Sequence, residues 1–194
     1  MKIAAAVLGA CLLLTACAGR PAGSPPSASP SPAAASSPAG STPADPAAVR
    51  WMDGFCAAVN GYRERTNREA GPARPTPGSV ADAQKELSAT LGGIAARTGE
   101  AARKLAALPA APVPLGDTVR QAFAAKYAKA RDRAADAKTA LDRAKPGDEA
   151  SQHPAAEALA QAQQDVDGTY DPVGAVAESP ELMRAAASAP GCKA

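Results

Sequence analysis

The chain has 194 residues, of which 21 are Lys or Arg and 19 are Asp or Glu, for a formal net charge of +2. Near neutrality gives no electrostatic footprint for nucleic acid and no pull on a polyanionic substrate. One histidine and four cysteines leave little material for a metal centre.

In chain order, the first element is an export segment. Lys2 supplies a positive charge, and Ile3 to Leu14 form an apolar stretch interrupted only by Gly9. A membrane-spanning helix needs about 20 apolar residues, so this run is too short to span; it fits the charged start and apolar centre of an export signal. The stretch Leu14-Thr15-Ala16-Cys17 then resembles the lipobox of bacterial lipoproteins. The resemblance implies cleavage after residue 16, a diacylglyceryl group on the Cys17 sulfur, and palmitate-type acyl chains that hold the protein in a lipid membrane. Sulfur is the nucleophile that accepts the lipid, and each buried CH2 then contributes about 0.8 kcal/mol, so two or three chains anchor stably. The alanine-rich composition, with arginine favoured over lysine, is similar to that of small actinobacterial secreted lipoproteins of unassigned role. The location implied is the outer face of the cytoplasmic membrane.

That resemblance also sorts the cysteines. Cys11 leaves with the signal and Cys17 carries lipid, so Cys56 and Cys192 remain as an even pair in an oxidising compartment. A disulfide staple between them is the expectation; two free buried thiols are the alternative. Loss of residues 1–16 removes only Lys2 among the charged groups, leaving 20 basic and 19 acidic residues.

Residues 17–44 read as a disordered tether. From Ala18 to Ala44 every residue is Ala, Pro, Ser, Gly or Thr, except Arg20. No large apolar side chain is present to offset the entropy of ordering. Such a segment reaches up to about 80 Å if extended, and nearer about 30 Å as a flexible coil.

Residues 45–194 carry helical periodicity. Asp45 followed by Pro46 is a helix start, and Trp51, Phe55, Val59 and Tyr62 recur on one face beside Cys56. This segment holds three of the six aromatic residues in the chain, so it should pack deepest. Gly71 to Gly78 break it. Ser79 and Asp82 then resemble a capping box, opening a helix whose inward residues are Leu87, Leu91, Ile94, Thr98, Ala101, Leu105 and Leu108. Alternating steps of four and three make this a coiled-coil-like seam. Gly92, Gly93 and Gly99 lie within it and are expected to admit close packing. A third helix, from about Leu115 to Lys145, presents Val119, Phe123, Tyr127, Ala130, Ala134, Ala137 and Leu141. A fourth begins near His153-Pro154 with Leu159, Ala162, Val166 and Tyr170 inward. A short last helix runs from Ser179-Pro180 to Pro190-Gly191, immediately before Cys192.

The expected fold is therefore all-α: an antiparallel bundle of about four main helices plus a short C-terminal helix, behind a signal peptide and an Ala/Pro/Ser tether. Chemistry is sparsely signalled. His153 reads as an exposed helix-start residue, and no nucleotide-binding, serine-hydrolase or zinc-protease motif occurs. Asp165, Asp167 and Asp171 only loosely resemble a calcium loop. The mixed charges from Lys126 to Lys145 read as a solvated face with local ion pairs, although Lys126, Lys129 and Arg133 share one side. No cofactor, metal or catalytic residue is expected, and the chain is not read as an enzyme. The expected function is recognition of a partner protein or cell-envelope component by a lipid-anchored domain. The alternative is a carrier of a small apolar ligand. In either case Trp51, Phe55, Phe123 and Tyr127 are the candidate pocket or partner face.

Overall fold

In the computed structural model residues 43–71 and 76–193 are described, and five α-helices occur among them. The export segment, Cys17 and the tether through residue 42 lie outside the described residues. Helix α1 spans Pro46–Glu69, α2 Val80–Ala106, α3 Pro114–Arg143, α4 Gln152–Asp165 and α5 Pro180–Ser188. Single 3-10 turns occur at Glu149–Ser151, Gly174–Val176 and Pro190–Cys192. There is no strand, and no helix long and apolar enough to cross a membrane, among the described residues.

Local chemistry sets the helix starts. The Asp45 carboxylate accepts from the backbone N–H of Ala47, and Pro46 occupies the first position, where its missing donor costs nothing. At α2, Ser79 Oγ accepts from the Asp82 N–H at 3.1 Å and donates to the Asp82 carboxylate at 2.7 Å. The capping box thus closes hydroxyl to carboxylate. Ser179 caps α5 by accepting from the Leu182 N–H at 3.2 Å.

Cross-helix bonds establish the antiparallel order. Trp51 Nε1 donates to the Pro109 carbonyl at one end of the α1–α2 pair, while Glu69 meets Arg97 at the other. Between α2 and α3, Gln84 Nε2 donates to the Leu141 carbonyl at 3.0 Å, and Arg120 Nη1 to the Leu105 carbonyl at 3.4 Å. Helices α3 and α4 meet where Arg133 reaches Asp165. Helix α5 and the turn after it lie on α1.

The core sits where these faces meet. Phe55, Val59, Leu91, Leu105, Tyr127, Leu141, Val166, Val176 and Leu182 are fully buried, with Ala130 and Ala134 as small knobs on α3. Small knobs let helix axes approach toward the lower end of the usual 8–10 Å range.

Two expectations need correction. Tyr170 is 44% exposed, whereas its neighbour Thr169 is completely buried. Helix α4 ends at Asp165, and Gly168, at φ +78°, turns the chain, so the helical phase that would have brought Tyr170 inward does not continue. The glycines of α2 do not bring two backbones together. A Cβ at Gly92 would meet the Lys138 stem, at Gly93 the Arg97 and Glu69 side chains, and at Gly99 the Arg131 stem. They make room for long charged side chains lying across the helix.

Candidate functional site

Among the residues singled out by sequence, the cysteines are placed most plainly. Cys56 is completely buried in α1, and a disulfide joins it to Cys192 with a Cα–Cα distance of 4.9 Å. The adjacent Gly191 is fastened on both sides: its N–H donates to Asp53 Oδ1 at 2.6 Å, and its carbonyl accepts from Asn60 Nδ2 at 2.7 Å. The C-terminal turn is thus a strap tied to α1 by one covalent and two hydrogen bonds.

Trp51, Phe55, Phe123 and Tyr127, the four proposed pocket or partner-face residues, belong to the core. Trp51 and Phe55 stack with centroids 5.2 Å apart, and Phe55 meets Phe123 at 5.3 Å. Tyr127 packs edge-on against Tyr62 at 4.9 Å. All four are at least 94% buried, and Trp51 also lines a cleft of about 480 Å³ with Ala47, Arg50, Pro109, Ala110 and Pro112. Tyr127 keeps its polar end satisfied: its hydroxyl and Thr169 Oγ1 are hydrogen-bonded at 3.1 Å, and Thr169 Oγ1 donates on to the Val166 carbonyl at 2.7 Å. Burial pushes the Tyr127 hydroxyl pKa well above the usual tyrosine range. Tyr170, facing Tyr62, is raised to about 12, chiefly by desolvation.

The charged face of α3 is also more than a solvated surface. Arg133 Nε and Lys129 Nζ each approach Asp165 at 2.8 Å, Arg133 Nη1 donates to Gln161 at 2.6 Å, and Lys126 donates to the Asp167 carbonyl. Three cations therefore converge on the C-terminal end of α4, where the helix dipole is negative. Burial alone would raise the Asp165 pKa, but the hydrogen bonds from Arg133 and Lys129 outweigh it and leave it lowered. The loose calcium-loop resemblance dissolves here: Asp165 is held by cations, and Asp171 Oδ1 accepts from the Gly174 N–H at 2.8 Å. His153 is exposed and 3.7 Å from Glu157. No group of three or more His, Cys, Asp or Glu side chains is placed to hold a metal among the described residues.

A residue not singled out by sequence proves the most unusual. Arg97, on α2, is nine-tenths buried, and its Nη1 pairs with the half-exposed Glu69 of α1. Its Nε is buried without a hydrogen-bond partner. Burial lowers its pKa, although a guanidinium stays charged at any physiological pH. The pair borders a cleft of about 220 Å³ lined also by Thr66, Ala89, Ile94 and Gln163, so α1, α2 and α4 all contribute. In the sequence Arg97 stands three residues from Ile94 and one from Thr98, at the edge of the apolar seam. That position is usually taken by an arginine whose stem covers the seam while its head reaches water, so nothing marked its head group as enclosed.

A second concavity is an apolar groove of about 510 Å³ between α3 and α4, with Ala137, Ala140, Leu141, Pro154 and Ala158 in its walls. Comparison of the chain with protein-family models, curated proteins and solved structures finds no match.

Proposed function

We propose that this chain is a lipid-anchored, extracytoplasmic helical domain that recognises a partner protein or cell-envelope component and carries out no reaction. The observation that carries the reading is the sequence Leu14-Thr15-Ala16-Cys17 at the end of an apolar run, followed by a spacer without large apolar residues. The Cys56–Cys192 disulfide supports an oxidising location on the outer face of the cytoplasmic membrane. The shifted titratable groups support a non-catalytic role, because Asp165 and Tyr127 are bound into helix–helix contacts. The carrier alternative is weaker, since Trp51, Phe55, Phe123 and Tyr127 pack on one another.

The test is detergent partition of the protein expressed in a bacterium that processes lipoproteins. The wild type is expected in the detergent phase and Cys17→Ser in the aqueous phase, with the helical domain unchanged by circular dichroism. Equal partition of the two forms would remove the anchor. Crosslinking in those cells, read by mass spectrometry, then identifies what the domain touches.

A further inference from the structure

We propose that the cleft between the start of α1 and the connection from α2 to α3 binds a small amphiphile with one apolar chain and a carboxylate head, the head taken by Arg50. The proposal does not depend on the lipid anchor.

The cleft holds about 480 Å³ and is lined by Ala47, Arg50 and Trp51 of α1 and by Pro109, Ala110 and Pro112 of the connection. That volume falls within the range of small-ligand sites. Its walls are poor in hydrogen-bonding groups. Neither proline has an N–H, and the Trp51 indole spends its only donor on the Pro109 carbonyl at 3.2 Å. The same bond ties one wall to the other, and Trp51 is stacked on Phe55 behind it. The walls are therefore in place before a ligand arrives, which keeps the cost of ordering low. A chain entering from outside lies against Trp51 and leaves the ring cluster packed.

Charge decides the head group. Arg50 is the one charged residue in the lining. It is exposed and, among the described residues, takes part in no hydrogen bond or ion pair. Arg97, Arg120, Arg131 and Arg133, by contrast, are each engaged by a carboxylate. Asp45 and Asp53, the nearest acids along α1, accept from the Ala47 and Gly191 N–H groups instead. The planar fork of a guanidinium matches the two oxygens of a carboxylate. A cationic head would be repelled, and an uncharged one would leave the fork to water. The apolar chain supplies the rest of the affinity by withdrawing its own surface and that of Ala47, Trp51 and Pro112 from water.

The chain has a single tryptophan, so one indole cross-peak reports on the site. The experiment uses 15N-labelled full-length protein carrying Cys17→Ser, so that no acyl chain of the protein itself can enter the cleft. Octanoate is expected to shift the Trp51 Nε1–H peak saturably. Octanol and octyltrimethylammonium should bind about tenfold more weakly or worse, as the loss of a charge-assisted hydrogen bond requires. Acetate, which has the head without the chain, should fail to saturate. Arg50→Gln should weaken octanoate about tenfold and leave octanol unchanged. Ala47→Leu fills the cleft from an exposed position, and should abolish octanoate binding while the remaining backbone peaks stay native. A Trp51 peak that octanoate does not move, or that octanol moves at the same concentrations, overturns the proposal. Full octanoate affinity in Arg50→Gln or in Ala47→Leu would do the same.

Discussion

Asn60 Nδ2 donates to the carbonyl of Gly191 at 2.7 Å, binding the first helix to a residue 131 positions away. The same side chain accepts from Arg63 Nη1 through Oδ1 at 3.0 Å, so both ends of this buried amide are satisfied. Asn60 lies one turn beyond Cys56 on α1, and Asp53 lies one turn before it. The strap therefore runs along a single face of α1. A Cβ at Gly191 would stand 2.7 Å from the Asp53 carbonyl oxygen, so only glycine allows this approach.

Asn60→Ala should accordingly destabilise the protein by about 1–3 kcal/mol, because it removes the bond and leaves a part-buried carbonyl unpaired. In a chain of this size the melting temperature falls by about 2–4 °C per kcal/mol. Since the disulfide holds the same strap, and reduction frees it, the loss should be smaller in reduced protein than in oxidised protein. A double-mutant cycle with Cys192→Ser, measured by urea denaturation, checks that coupling. Additive losses would mean that the strap is not a unit.

Much of the fold was legible because its helices announce themselves locally. Pro46 and Pro180 stand at first positions, Ser79 caps α2, and the apolar steps from Leu91 to Leu105 follow one face. Illegible features were those set by a partner distant in sequence. Gln84 illustrates this: its Nε2 donates to Leu141 and its Oε1 accepts from the Gly147 N–H at 2.8 Å, fastening α2 to the turn after α3. Nothing near Gln84 in the chain signals either bond. The aromatic residues were legible as a buried face and no further, for a related reason. Periodicity identifies a buried face, but does not distinguish a filled core from a lined cavity. Arg97 was missed because enclosure of its head depends on α1 and α4 together.

Gly92 lies in mid-helix, where alanine is favoured by about 1 kcal/mol. A Cβ there would come within 3.2 Å of Lys138 Cε and 3.4 Å of its Cδ, atoms of a flexible stem that can move aside. Gly92→Ala should therefore stabilise the protein, by about 0.5–1 kcal/mol once the lysine has adjusted. A higher melting temperature in calorimetry checks this. A fall would show that the Lys138–Asp142 pairing fixes the stem in place.

Asp165 should confer acid sensitivity. Its pKa is lowered in the folded protein by Arg133 and Lys129, so the folded state holds its charged form more firmly than the unfolded chain does. That contribution is complete above the unfolded value of about 4 and is lost as pH falls through the lower folded value. Asp165→Asn keeps the shape but removes the charge. It should cost about 1–2 kcal/mol near neutral pH, the exposure of Lys129 limiting the effect, and progressively less in acid. Urea midpoints of both proteins should converge as pH is lowered. Parallel curves would place the acid sensitivity elsewhere.

The disulfide closes a loop across 136 residues, for which chain entropy allows a stabilisation of up to about 5 kcal/mol. What lies beyond it is slight: α5 buries Leu182, Ala185 and Ala186 against the bundle, while Met183 and Arg184 face solvent. An alanine-rich contact of this kind buries little apolar area, so non-covalent docking of α5 is weak once the strap is freed. Non-reducing peptide mapping should recover Cys56 linked to Cys192. Reduction should lower the melting temperature by about 10 °C or more, in line with that loop size. It should also open the last helix before the rest of the bundle, since local stability follows buried contact. Arg184 is then the site to watch: limited trypsin should cut after it rapidly in reduced protein and slowly in oxidised protein, with fragment masses identifying the bond cleaved. Equal rates in the two forms would show that Leu182 and the Asn60 and Asp53 hydrogen bonds hold the strap by themselves.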